Sequence, residues 1–315
     1  MTSWEPSASL ATLQQRASII RTVREFFYER QVLEVDTPTL SHATVTDPFI
    51  DSFHTIHQGK PYFLQTSPEY AMKRLLAAHG KAIYQISKAF RVEENGSLHN
   101  PEFSLLEWYR PQWHYHALIK EVDELFQATL NTPPADIITY HDCFQQHLQI
   151  NPHTCDIKQL ANLTHQHIPT VTTEDLSRDD HLNLLLTHLI EPQLGNTRPV
   201  FIIDYPASQA ALATIRQGTP AVAERFELYY QGVELANGFQ ELQDEEEQLA
   251  RFHHDQQIRQ QLNKSIPEID TLFLNALRKG LPPCAGVALG LDRLILFASQ
   301  KKSVQEVMSF SWDNA

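Results

Sequence analysis

Between Arg225 and Leu242 the chain reads RFELYYQGVELANGFQEL, two strand-like runs joined at Gln231-Gly232. A two-residue link of this kind turns the backbone straight back, so the runs form an antiparallel hairpin with Tyr229 opposite Glu234. Glu227 then lies diagonally across from Glu234 on the same face, roughly 7–8 Å away between backbones. Two carboxylates so placed repel unless a cation or a cationic side chain sits between them. Oxygen-only ligands suit Mg²⁺, which shares its shell with substrate phosphates; the alternative is a charged edge strand kept from aggregating.

The rest of the chain agrees with a sheet built from such pairs. Apolar residues at Leu10, Leu13, Ile20, Val23 and Phe27 recur at helical spacing, with Ser9 placed as an N-cap. A short β-prone run, VLEVDTPTL, follows, and then a strand over 62–65. In TSPEYAMKRLLAAHG, Ser67 as N-cap, Pro68 at the first helical position and Glu69 in the first turn predict a helix. Further strands are expected over 82–86, 89–94 and 103–109, and a helix over 118–130. The region 136–195 reads as mostly helical fragments and as a possible helical insertion. Strands return in VFIIDYP and in the hairpin, a helix is headed by Asp244, and the chain closes with GVALGLDRLILFASQ. Clustered strands without regular βαβ alternation predict an α+β fold, a mainly antiparallel sheet flanked by helices.

Composition narrows the function. The 315 residues carry 25 Lys and Arg against 38 Asp and Glu, a net charge of −13, which repels phosphate backbones and disfavours extensive nucleic-acid binding. Cys143, Cys155 and Cys284 are odd in number and form no C-x-x-C pair, so neither a disulfide framework nor a zinc site is indicated, and a reducing cytoplasm fits. No leader and no bilayer-spanning run is apparent. The 16 histidines are scattered and read as surface or core residues.

Two more segments carry chemistry. In FRVEENGSLHNPEFSLLEWYR, Arg91 and Glu93 share one strand face, and after a turn at Asn95-Gly96 Phe103, Glu107 and Tyr109 share another. If both face the same way, one surface presents an arginine, two acids and two aromatics; otherwise the face is a solvated one. In AGVALGLDRLILF, Gly286, Ala288 and Gly290 alternate, so one strand face is nearly bare. Either a ligand or a packed element approaches it. Arg293, opening the last helix, is suited to clamp a phosphate oxygen. Together these are the parts of an ATP-dependent ligation.

These segments resemble motifs 1, 2 and 3 of class II aminoacyl-tRNA synthetases, in the lysyl branch. VLEVDTPTL, with Pro38, is similar to motif 1, FRVEE…HNPEF to motif 2 and GVALGLDR to motif 3; SPEYAMKRL, LEWY and ELANGFQEL also correspond, so that the likeness spans nearly all of residues 1–315 as one catalytic domain. There are two departures. The first helix starts by about residue 10, which leaves no room for an anticodon-binding domain. Ala288 replaces a glycine and Ser67 an alanine on the side facing the substrate's amino and carboxyl groups.

Both departures resemble the stand-alone lysyl-tRNA synthetase paralogues that ligate (R)-β-lysine to elongation factor P. The resemblance implies activation of (R)-β-lysine by ATP with Mg²⁺, transfer to a lysine of elongation factor P without tRNA, and a cytoplasmic homodimer. By the same resemblance, Arg91 and Arg293 are catalytic. Arg91, Val92, Glu93, His99, Asn100, Phe103, Glu234, Leu235, Gly290 and Arg293 contact ATP, and Glu227 and Glu234 hold Mg²⁺. Ser67, Pro68, Glu69, Asn237 and Ala288 surround the amino acid's head, while Glu107, Tyr109 and Glu241 receive its terminal ammonium. Rival readings are a truncated lysyl-tRNA synthetase-like ligase with another acceptor, and a non-catalytic regulator; the latter sits poorly with so complete an ATP-site set.

Overall fold

In the computed structural model, which describes residues 4–92, 95–172 and 175–315, helix α1 spans Leu10–Glu29. Ser9 caps it, its hydroxyl accepting from Thr12 N at 3.2 Å. The buried stripe is Thr12, Ile19, Val23, Phe26 and Phe27, whereas Leu10 points outward, 72% exposed. Phe27 stacks on Tyr84 at 4.3 Å and meets Trp108 edge-on at 5.3 Å, so one ring ties the helix to two strands.

The chain divides into two units, the first Met1–Trp113, Ala128–Leu130 and Leu242–Ala315, the second His114–Gln127 and Asn131–Glu241. In the first, α1 is followed by β1 (Leu33–Glu34), β2 (Leu40–Ser41), β3 (His54–His57), β4 (Lys60–Leu64), α2 (Glu69–His79), β5 (Ile83–Phe90) and β6 (Glu102–Pro111). The second holds α3 (Tyr115–Leu130, its last turn excepted), β7 (Asp136–Thr139), α4 (Tyr140–Leu148), α5 (Ile157–His167), α6 (Arg178–Leu185), β8 (Val200–Pro206), β9 (Ile215–Arg216), β10 (Val222–Tyr230) and β11 (Val233–Gln240). The chain then returns to the first with α7 (Glu245–Gln261), α8 (Thr271–Gly280), β12 (Cys284–Gly290) and α9 (Leu291–Ala298).

In the first unit the strands order β1-β5-β6-β12, all pairs antiparallel except β1 with β5, and β2-β4-β3 form a small antiparallel sheet. In the second the order is β11-β10-β8-β7, antiparallel except β7 with β8, and β9 adds to β10. Both units are thus α+β and antiparallel-dominated. Helices α4 to α6 bury Tyr140, Phe144, Leu160, Leu182 and Leu185 in a core shared with Ile202 and Tyr205 of β8. The segment 136–195 therefore opens with a strand, not a helix: Ile137 and Ile138 are β-branched and pair with β8 over too few residues to show a period.

Three local expectations are corrected. Ser67 is not the N-cap of α2; Pro68 takes that position without a side-chain cap bond, and the Ser67 hydroxyl accepts from Glu69 N at 3.4 Å. The strands expected over 82–86 and 89–94 are one, β5, ending at Phe90, because Ser87-Lys88 contains no residue that breaks a strand. The turn after it closes at Ser97-Leu98 and not at Asn95-Gly96, since Gly96 and His99 exchange both backbone bonds, at 3.1 and 3.3 Å.

Candidate active site

On the first unit, register builds the predicted surface. Glu107 of β6 stands between Gln85 of β5 and Ala288 of β12, Tyr109 between Ile83 and Gly286, and Leu105 between Ser87 and Gly290. Directly opposed residues share a face, so the small residues of β12 leave a low lane beside Glu107 and Tyr109. Tyr109 OH donates to Glu107 Oε1 at 2.7 Å, and both are 2% exposed. Further along the same side, the Arg91 guanidinium lies 5.1 Å over the Phe103 ring. Arg91 follows β5, its backbone N donating to Pro101 O at 2.9 Å.

Val92 is 42% exposed, and its N donates at 3.0 Å to the Asp51 carbonyl. Glu93 lies outside the described residues. Arg293 donates to the Leu98 carbonyl at 3.2 Å and to His99 Nε2 at 2.6 Å, bringing motif 3 onto the motif 2 turn. Asn100 is buried, its amide donating to Glu102 O at 2.6 Å and accepting from Trp312 N at 2.9 Å, so it braces the turn through backbone bonds. Gly290 directly precedes α9. Asp292, in the first turn, accepts from Ser104 N and Arg16 at 2.6 Å each and locks α9 to β6 and α1. Glu69, beside Ser67, takes a 2.6 Å ion pair from Lys73, a lysine 1% exposed.

On the second unit the hairpin turns as read. Gln231 (φ 50°) and Gly232 (φ 76°) are both left-handed, as a two-residue turn of this hand requires, and Tyr229 faces Glu234. Beyond that pair the register slips: Leu228 faces Ala236 and Glu227 faces Asn237, so Leu235 is an extra residue, a bulge. The diagonal expected between Glu227 and Glu234 is accordingly one residue longer than in a regular hairpin. Leu235 is buried at 2% and Glu241 at 1%, the Glu241 carbonyl accepting from Thr214 at 3.1 Å.

The cation that this arrangement needs is present. Arg225 donates to Glu227 Oε1, while Tyr205 and Tyr229 donate to Glu227 Oε2 at 2.6 and 2.5 Å. Burial, then the neighbouring Glu227, pushes both phenols well above their ordinary pKa, so they remain donors. Among the described residues no group of three or more His, Cys, Asp or Glu is placed to hold a metal. Two carboxylates with oxygen donors only fit Mg²⁺, which keeps waters and phosphate oxygens for the rest of its shell.

Arg225, Tyr205, Lys73 and the Arg16–Asp292 pair were not read from sequence. Arg225 had a signal, since it stands two residues before Glu227 and so on the same strand face. Lys73 had one too, standing four residues after Glu69 on the same helix; Tyr205 and the Arg16–Asp292 pair meet their partners through tertiary packing, which strand and helix periods do not encode.

The whole chain matches a known family. The profile of tRNA synthetases class II (D, K and N) covers residues 3–314. An elongation factor P–(R)-β-lysine ligase of Pseudoalteromonas translucida (strain TAC 125) is 49% identical over 314 residues, 98% of this chain and 97% of that one. The chain belongs to this family of class II ligases. Other similar members are the elongation factor P–(R)-β-lysine ligases of Edwardsiella ictaluri (strain 93-146), 47% identical over 322 residues, 100% of this chain and 99% of the relative, and of Haemophilus influenzae (strain PittGG), 46% over 318 residues, 99% and 98%.

Proposed function

We propose that this chain activates (R)-β-lysine with ATP and transfers it to a lysine of elongation factor P. The observation that carries the reading is the near-complete likeness to ligases of that name, joined to a sheet face on which Ala288 borders the Glu107–Tyr109 pair. The substrate carboxylate attacks the α-phosphorus in line, the bond to pyrophosphate breaks, and an aminoacyl-adenylate forms. The neutral amine of the acceptor lysine then attacks the acyl carbon, AMP leaves and the amine gives up a proton. Catalysis is positioning and charge neutralisation, with no nucleophilic side chain.

In this reading Arg91 grips the α-phosphate and Phe103 stacks on adenine with Arg293 on the opposite side. Glu93 accepts from the adenine amine, and Val92, Leu235 and Gly290 approach through backbone. His99 and Asn100 contact ATP's phosphates or base region from the motif 2 turn, where His99 also accepts from Arg293 and Asn100 braces the turn. Ser67, Pro68, Glu69 and Asn237 orient the amino acid's head. Glu107, Tyr109 and Glu241 receive the far ammonium, for which two buried carboxylates and a phenol are apt partners. Glu227 and Glu234 would hold Mg²⁺, which supplies charge neutralisation to the triphosphate oxygens.

Residues 1–315 act in this reading as one class II catalytic domain, 136–195 being an insertion, and without tRNA. A homodimer is supported by Leu10 and Tyr28 of α1, 72% and 84% exposed, which stand five helical turns apart on one side of that helix, and by Leu33, 59% exposed, on β1. Cys143, Cys155 and Cys284 form no disulfide, which accords with the cytoplasm. Among the described residues, no helix is long and apolar enough to cross a membrane. Pyrophosphate exchange tests the activation step: (R)-β-lysine should support it faster than L-α-lysine, and equal rates would remove the substrate assignment.

A further inference from the structure

Arg225 joins residues to which the reading above gives separate tasks. Its guanidinium donates to Glu227, to Asn237 Oδ1 at 3.3 Å and to the Gln209 carbonyl at 2.9 Å, and it lies 4.6 Å over the Tyr205 ring. The side chain is 18% exposed. Glu227 thus holds a mostly buried cation whose fork also reaches Asn237, the residue directly across from Glu227.

We propose that Arg225 is a positioning residue: the resident counter-cation of Glu227 on the hairpin that also carries Glu234, which through the same guanidinium fixes Asn237. The inference rests on the metal and amino-acid assignments proposed for those residues. Like charges on adjacent strands need a positive partner whenever no divalent ion is bound. With Arg225 in place one of the two negative charges is already offset, and a free divalent ion gains less by binding. The ion instead arrives with the triphosphate, whose negative charge offsets the arginine. Arginine suits the double task because its planar fork aims fixed, divergent donors at separate acceptors, whereas lysine offers a compact point charge.

The test is a Mn²⁺ titration of nucleotide-free protein, followed by electron paramagnetic resonance. Arg225→Met removes the charge, and Mn²⁺ should bind about tenfold tighter than in the wild type. Arg225→Lys keeps the charge and should stay within about threefold of wild type. The lysine variant should nevertheless raise the KM for β-lysine about fivefold in pyrophosphate exchange and leave the KM for ATP nearly unchanged, since the hold on Asn237 is lost. Unchanged or weaker Mn²⁺ binding in a folded Arg225→Met overturns the counter-cation role. If that variant does not fold, an unchanged KM for β-lysine in Arg225→Lys overturns the proposal. Glu234→Gln separates the underlying reading: if Mn²⁺ binding with a non-hydrolysable ATP analogue survives it, the metal assignment fails and takes the role of Arg225 with it.

Discussion

Ala288 concentrates the specificity of the proposed site in one methyl group. It stands directly across from Glu107, where a glycine would leave the lane open to the backbone. A substrate whose amine moves from the α to the β carbon presents a different outline at its head, and a methyl group penalises the outline it touches. Ala288→Gly should therefore shift the kcat/KM ratio of β-lysine to α-lysine toward α-lysine by about 10- to 200-fold, the range one methylene-sized contact discriminates. Pyrophosphate exchange with each amino acid measures it, and an unchanged ratio would assign specificity elsewhere. Asp292 shows a different economy, a single carboxylate that holds two elements and touches no substrate. Asp292→Ala leaves the mostly buried Arg16 without its ion partner and should cost about 3–5 kcal/mol in urea unfolding.

Among strands and helices, the sequence was most readable where local chemistry dictates geometry. Gln231-Gly232 announced its turn, and the pairing of Tyr229 with Glu234 followed; Ser9 announced α1, and Asp244 caps α7 as its position suggested. The bulge at Leu235 was not legible, because Leu235 and Ala236 are both buried and an extra apolar residue leaves no mark on the pattern. The motif 2 surface was legible in its aromatic and acidic members but not in its frame, since Asn100 and Asp292 act through backbone bonds to distant residues.

One such frame is open to measurement. Asp51 binds Arg259 and, at 3.0 Å, Lys264, while its carbonyl takes the Val92 N–H beside Arg91. Burial raises the Asp51 pKa, but Lys264 and Arg259 more than offset this, so its folded value lies below the ordinary one. A carboxylate with a depressed folded pKa contributes stability that is present above its unfolded pKa, about 4, and lost as pH falls through the folded value. Asp51→Asn should remove that part of the acid dependence: wild type and variant should differ in thermal midpoint at pH 6 and converge near pH 2. Parallel curves would show that the carboxylate is not clamped.

For the molecule as a whole, charge and acceptor choice go together. A chain of net charge −13 gains nothing from the long-range attraction that draws a basic surface to tRNA, whereas a protein lysine requires only a local fit. Pairing through α1 and β1 would cover Tyr28 and Leu33; sedimentation should give a dimer for the wild type, and Tyr28→Asp should shift it toward monomer. Two functional reports, activation and delivery, then bear on the same protein, and delivery is the stricter. Protein charged with radiolabelled (R)-β-lysine and ATP should pass the label to elongation factor P and not to lysine tRNA, and the acceptor lysine should be the only labelled site in the factor. Label appearing on tRNA, or none on the factor from a protein that forms the adenylate, would contradict the account.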